Sequence, residues 1–342
     1  MTSATSDGAP GAVRPADDRG HHMRTGLKAA MTAGLSGGLL GVTLVAAPAH
    51  AAAGDPGLVS LGVDECAQDI NGLEVVVTDT HVYRQGRLLP LPGGLDSAVR
   101  INDRGDIAGT DDGVAALWRE RQLVRIGVAD PSDTYSYVTG LNERGDVVGT
   151  SGTFGGQSHA FVWTGGAMRV LPGLGGDTGA SDINDRGQVS GYAWDGSGAQ
   201  RAVVWAPDGT LTELGTLGGH SLATALNNRG DVVGYSYTAT AGGSMRAVRW
   251  PQGAAPVPVE APGSVLGIAS DINERGRVVG NLAIATGPQQ GFVHDATGPV
   301  RPVAPLVPGE TTVLTAVNDY GTAVGCEFSG EASTAVLRYG PR

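Results

Sequence analysis

The chain has 342 residues with 56 glycines, is 41% hydrophobic and 5% aromatic, and carries a formal net charge of −11. The apolar share is too high for a disordered chain, and the net sign is wrong for a partner held through nucleic-acid phosphates. Abundant glycine among β-branched residues excludes a long-helix architecture and favours short strands joined by tight turns.

Residues 1–22 are polar and read as a disordered extension, or as a start assigned too early, with Met23 the true initiator. Residues 23–53 read as a signal peptide. Arg24 and Lys28 make a positive start, 29–47 are apolar without a charge, and Ala49-His50-Ala51 is a small-x-small cleavage signal. A marginal membrane anchor is the competing reading of the same stretch. Without an Arg-Arg pair the twin-arginine route has no support. Residues 54–342 are the expected folded part. Lys28 is the only lysine, so that part is basic through arginine alone.

Beyond the leader one pattern recurs: apolar-Asn-x-x-Gly-x-apolar-x-Gly. Its asparagines are Asn71, Asn102, Asn142, Asn184, Asn227, Asn273 and Asn318, spaced 31, 40, 42, 43, 46 and 45 residues apart. That period suits one four-stranded propeller blade per repeat. The first strand of each unit ends at the Asn, whose side chain caps the turn while Gly supplies a positive φ. A second strand such as Val147-Val148-Gly149 follows. The third strand is the most recognisable, as in His159-Ala160-Phe161-Val162-Trp163 and Arg201-Ala202-Val203-Val204-Trp205. A Gly turn leads to a fourth strand such as Leu211-Thr212-Glu213-Leu214, and two of these run into Leu-Gly-Gly at Leu174 and Leu217.

The last repeat stops after its third strand, near 334–339. Residues 58–63 stand alone ahead of the first Asn and resemble the fourth strand at 123–128. The expected fold is therefore all-β: a seven-bladed β-propeller of four-stranded blades, its ring closed by the N-terminal strand completing the last blade. Closure removes the open sheet edge that a linear array would leave. A β-solenoid of this period is the rival, but it needs no complementary partial units at its ends. Ring closure would also bring Cys66 near Cys326, the only two cysteines, and predicts a disulfide between them in an exported chain.

The order Leu-Gly-Gly, Ile-Asn-x-x-Gly-x-Val-x-Gly and Ala-Phe-x-Trp resembles the HAF repeat family, over about residues 58–340. The first unit departs from it with Gln85 in the Trp place, and the last two with His294 and Arg338. The resemblance implies a bacterial extracellular repeat protein with no assigned chemistry or functional residues to carry over. Arginine, alanine and glycine in place of lysine suggest a GC-rich genome, consistent with an actinobacterial source.

Catalytic constellations are absent. The single Gly-x-Ser-x-Gly match, starting at Gly34, lies in the leader. The glycines at Gly173, Gly175 and Gly176 open no helix and belong to the repeat. Histidines are scattered without metal-ligand spacing, so no catalytic residue, metal or cofactor is expected. Two sets of residues remain as binding candidates. Two positions before the Asn stand Asp69, Asp182 and Asp271, with Arg100 in the second unit; they face the central channel or bond neighbouring backbone. The variable loops share one face of the ring, and on it are expected Trp194, Asp195, Phe154 and His220. An exposed aromatic there can stack on a sugar or anchor a protein. The expected function is a secreted, non-catalytic and monomeric propeller that binds an extracellular protein or glycan through that face. No nucleic acid is expected as a partner, nor any membrane once the signal is removed. The alternatives are an extracellular hydrolase or lyase with acids at the channel mouth, and a structural envelope or matrix protein.

Overall fold

A computed structural model describes residues 57–239, 243–285 and 287–340. The extension at 1–22 and the signal at 23–53 lie outside them. Among the described residues the structure is all-β, a ring of seven four-stranded antiparallel blades. Blade 1 holds β2 (Ala67–Ile70), β3 (Val76–Thr78), β4 (His81–Arg84) and β5 (Arg87–Pro90). Blade 2 holds β6 (Ser97–Ile101), β7 (Ile107–Asp111), β8 (Val114–Arg119) and β9 (Gln122–Gly127). Blade 3 holds β10 (Tyr135–Leu141), β11 (Val147–Gly152), β12 (Ser158–Thr164) and β13 (Ala167–Val170). Blade 4 holds β14 (Gly175–Ile183), β15 (Val189–Asp195), β16 (Gln200–Trp205) and β17 (Leu211–Glu213). Blade 5 holds β18 (Ser221–Leu226), β19 (Val232–Tyr237), β20 (Met245–Trp250) and β21 (Val257–Pro258). Blade 6 holds β22 (Ser264–Ile272), β23 (Val278–Ile284), β24 (Gln290–His294) and β25 (Arg301–Val303). Blade 7 joins β26 (Thr311–Val317), β27 (Ala323–Ser329) and β28 (Ala332–Arg338) to β1 (Leu58–Ser60).

The closure expected from the partial end units is present. β1 pairs antiparallel with β28 in the register Leu58↔Arg338, Val59↔Leu337 and Ser60↔Val336. The pairing continues past the strand, as Leu61 N donates to the Ala335 carbonyl at 2.9 Å and Ala335 N to the Val63 carbonyl at 3.1 Å. Cys66 and Cys326 form the expected disulfide, with Cα atoms 5.0 Å apart.

Apolar burial is divided into layers between neighbouring blades, as where Ala108 and Leu117 of blade 2 meet Val138, Val147 and Phe161 of blade 3. The layer between blades 6 and 7 includes Leu58, so the closing strand is packed as well as paired. The repeat Trp positions belong to these layers. Trp205 and Trp250 are fully buried, and their indole N–H groups donate to Pro172 and Gly215 carbonyls, just past the preceding blade's outer strand. Trp118 and Trp163 are partly buried against the same kind of layer.

The consensus Gly of the second strand has a packing cause. Each inner strand carries a bulge, as between Val138 and Gly140. Opposite it, a Cβ on Gly149 would stand 2.0 Å from the Tyr137 carbonyl oxygen. Only glycine lets the two backbones approach so closely.

Candidate functional site

The repeated turn explains its own consensus. Asn142 Oδ1 accepts the N–H groups of Arg144 and Asp146 within the turn, at 3.0 and 2.9 Å, and Gly145 sits at φ +83°. The Asn142 amide then donates to the Asn184 carbonyl of the next blade. Every blade repeats this bond, from Asn71 to Asn102 and onward until Asn318 donates to Asn71, with N···O distances of 2.9–3.2 Å. The result is a closed circuit of buried amides around the turn face.

A second circuit lies beside it. In six of the seven units the N–H of the residue after the Asn donates to the side chain of its counterpart one blade on. Asp103 N to Glu143, Glu143 N to Asp185 and Glu274 N to Asp319 are each 2.9 Å. At the junction from blade 7 to blade 1 the counterpart is Gly72, which has no side chain to accept.

The channel carboxylates are a third set of stitches. Asp69 accepts Ile101 N at 2.9 Å, Asp182 accepts Leu226 N at 3.1 Å, and Asp271 accepts Val317 N at 2.7 Å, each from the following blade. Blades 3, 5 and 7 carry small Gly140, Ala225 and Ala316 in place of Asp. There a threonine one residue earlier makes the link instead: Thr139, Thr224 and Thr315 donate to the carbonyls of Ala180, Ala269 and Ala67 at 2.7–2.9 Å. Each of these acids thus bonds the backbone of the following blade. The threonines were missed because they sit one position out of register with the aspartates.

These carboxylates are half-buried on the inner strands. Burial pushes Asp69 and Asp182 up to about 7, against the lowering pull of Arg100 and of their backbone N–H donors. Asp271 is raised by burial as well, opposed first by its Val317 N–H bond. The positive charge of Arg100 opposes the rise at all three.

On the loop face the placements differ from expectation in one respect. Trp194 is on strand β15, paired with Gln200, because β15 and β16 run further than expected and only residues 196–199 form their turn. Asp195 caps that turn, accepting the N–H groups of Ser197 and Ala199 at 2.9 Å and pairing with Arg201 at 3.0 Å. The Ser197 hydroxyl, which donates to it at 2.6 Å, is the first cause holding its carboxyl well below the usual range, followed by the Ala199 N–H. His220 lies between β17 and β18. Its Nδ1 accepts Gln200 N at 2.9 Å, which places the ring proton on Nε2. The His220 ring is 5.6 Å from Trp194 and 6.5 Å from Tyr237. Phe154 stands on its loop 78% exposed, 5.0 Å from the Tyr135 ring.

Around these candidates the fold gathers tyrosines that sequence reading passed over. Tyr135 and Tyr137 stack at 6.2 Å, and Tyr235 meets Tyr237 edge-on at 6.1 Å. The Tyr192 hydroxyl is raised by burial and then by Tyr137 and Asp177. Tyr135 is raised by burial, then by Tyr137, Asp177 and Asp133. Alignment of the repeats holds the missed signal: Tyr192 and Tyr235 each follow the consensus Gly in adjacent units. The two aromatic groups occupy the loop side of blades 3, 4 and 5.

No family model matches the chain, and no curated protein matches it. Solved structures do. A streptogramin B lyase is 10% identical with a TM-score of 0.54, covering 83% of this chain and 97% of its own. A puromycin-hydrolyzing peptidase from Mycobacterium tuberculosis is 14% identical with a TM-score of 0.52, covering 77% of this chain and 49% of its own, so the propeller spans about half of that enzyme. At such identities the likeness is one of fold.

Proposed function

We propose that this chain is an exported propeller of the HAF-repeat kind that binds an extracellular protein or glycan through the loop face of blades 3–5, without catalysis. The observation that carries this reading is the grouping of aromatic rings there, with Phe154 open to solvent on a stacked tyrosine base and Trp194 supported by His220 and Tyr237. Aromatic rings set on a rigid scaffold bind at low ordering cost. The channel acids favour the non-catalytic reading, since each is engaged by backbone N–H groups. The disulfide suits an oxidising compartment outside the cytoplasm.

The test is a protein and glycan array probed with the secreted chain, Phe154→Ala and Trp194→Ala. The reading expects hits that weaken about tenfold or more in at least one variant, as for an interface anchor worth more than 1 kcal/mol. Hits unchanged in both variants, or no hits, sink it.

A further inference from the structure

The aromatic group between blades 3 and 4 differs in composition from the one between blades 4 and 5. Tyr135 and Tyr137 lie nearly parallel, with an interplanar angle of 11°, and Phe154 tilts over Tyr135 at 44°. Tyr192 borders them from the next blade: its ring packs against Gly179, beside Thr178, whose carbonyl accepts the Ser158 hydroxyl. Asp133 and Asp177 flank these rings: the Ser151 hydroxyl bonds both Asp133 and the Tyr135 carbonyl, and Ser158, whose N–H Asp177 accepts, pairs across Gly152 from Tyr135. Asp177 accepts the Ser158 N–H at 2.9 Å and Asp133 accepts the Ser151 hydroxyl at 2.6 Å, bonds that fix both carboxylates in place. Elsewhere on the loop face some acids are matched, as Asp195 by Arg201, Asp111 by Arg125 and Glu260 by Arg246, whereas Asp96, Asp130 and Glu310 hold N–H or hydroxyl groups instead. Among the described residues neither Asp133 nor Asp177 has an ion pair.

Electron-rich rings grouped with fixed carboxylates that no cation pairs make an environment for a weakly hydrated organic cation. Such a cation gains from the ring quadrupoles and needs no tight metal-like coordination. A neutral sugar would leave the charge unused, and an anion would be repelled.

We propose that Phe154, Tyr135, Tyr137 and Tyr192, with Asp133 and Asp177, form a site for an alkylammonium group. The group can arrive on a small molecule or on a lysine side chain. The proposal rests on the loop face being the binding face and names a ligand chemistry for one part of it.

The experiment is titration calorimetry on the full secreted chain. Choline is compared with 3,3-dimethylbutan-1-ol, its uncharged isostere, and a lysine peptide with the same peptide acetylated on lysine. Choline or the lysine peptide is expected to bind about tenfold or more tightly than its neutral counterpart, the range of a partly desolvated cation–π contact. Preference in the choline arm alone identifies a small-molecule source, and in the peptide arm alone a protein source. Phe154→Ala, at an exposed position that folding tolerates, and Asp177→Asn, which keeps an acceptor for Ser158, should each weaken it at least threefold. Tyr320→Ala, an exposed ring in the Asn turn of blade 7, should leave it unchanged. Equal binding of cation and isostere in both arms, or no binding of either cation, overturns the proposal. That failure is separable from failure of the loop-face reading, because array hits sensitive to Trp194→Ala would survive it.

Discussion

Asn184 shows how much one repeat position does. Its Oδ1 accepts Arg186 N and Gln188 N, and its amide donates to Gln188 Oε1 and to the Asn227 carbonyl, all at 2.9–3.0 Å. Asn184→Ala strands two turn N–H groups and a buried carbonyl, so a loss of about 3 kcal/mol is expected in urea unfolding. Asn184→Asp keeps the acceptor but sets a charge against the Asn227 carbonyl, and it too should destabilise. A harmless Asn184→Asp would show that the inter-blade donor adds nothing. The close approach at Gly149 gives a second expectation. Gly149→Ala should cost about 1–3 kcal/mol from overpacking against the Tyr137 carbonyl. Gly155→Ala, in open space at φ +77°, should cost about 1 kcal/mol or less.

The inner strands carry the pH response. Asp69 on β2 and Asp182 on β14 titrate near 7 in the fold, against an ordinary value of 3.8. A folded pKa above the unfolded one means that the native state binds the extra proton. The stabilising contribution is therefore complete below about pH 4 and is lost as pH rises through 7. The charged groups facing these carboxylates are Arg100, which favours ionisation, and Asp271, which opposes it. Thermal unfolding should show a Tm that rises as pH falls from 8 to 5. Asp182→Asn keeps an acceptor for Leu226 N and should flatten part of that slope. A slope identical in the variant would remove Asp182 as a source.

At the scale of the whole molecule, stability depends on the junction between chain ends. The Cys66–Cys326 bond closes a loop with a sequence separation of 260, for which the chain-entropy model gives about 5 kcal/mol as a ceiling. The double variant Cys66→Ser and Cys326→Ser should unfold at lower denaturant, with a loss of about 3–5 kcal/mol and the β1–β28 pairing opening first. Hydrogen exchange at Leu61 and Ala335, whose N–H groups donate across that junction, reads the opening directly. If those amides exchange no faster than the Asn circuit on the turn face, the bond is not what holds the ring shut.

Blade number, closure and the cysteine pair were legible in the chain because a repeat states its architecture through spacing. Seven asparagines at blade period and two complementary partial units leave one economical ring. The turn chemistry was legible because an Asn cap and a positive-φ Gly act within a few residues. What only the tertiary structure decided were contacts between residues about forty positions apart. Thr139 substitutes for an aspartate because it reaches Ala180 one blade on, and Tyr192 joins Tyr135 and Tyr137 because two blades pack face to face. The placement of Trp194 within β15 was likewise set by strand pairing with Gln200, a length that local propensity does not encode. Local rules specify each blade, whereas the chemistry between blades depends on the angle at which neighbours meet, which exists only once the circle is complete.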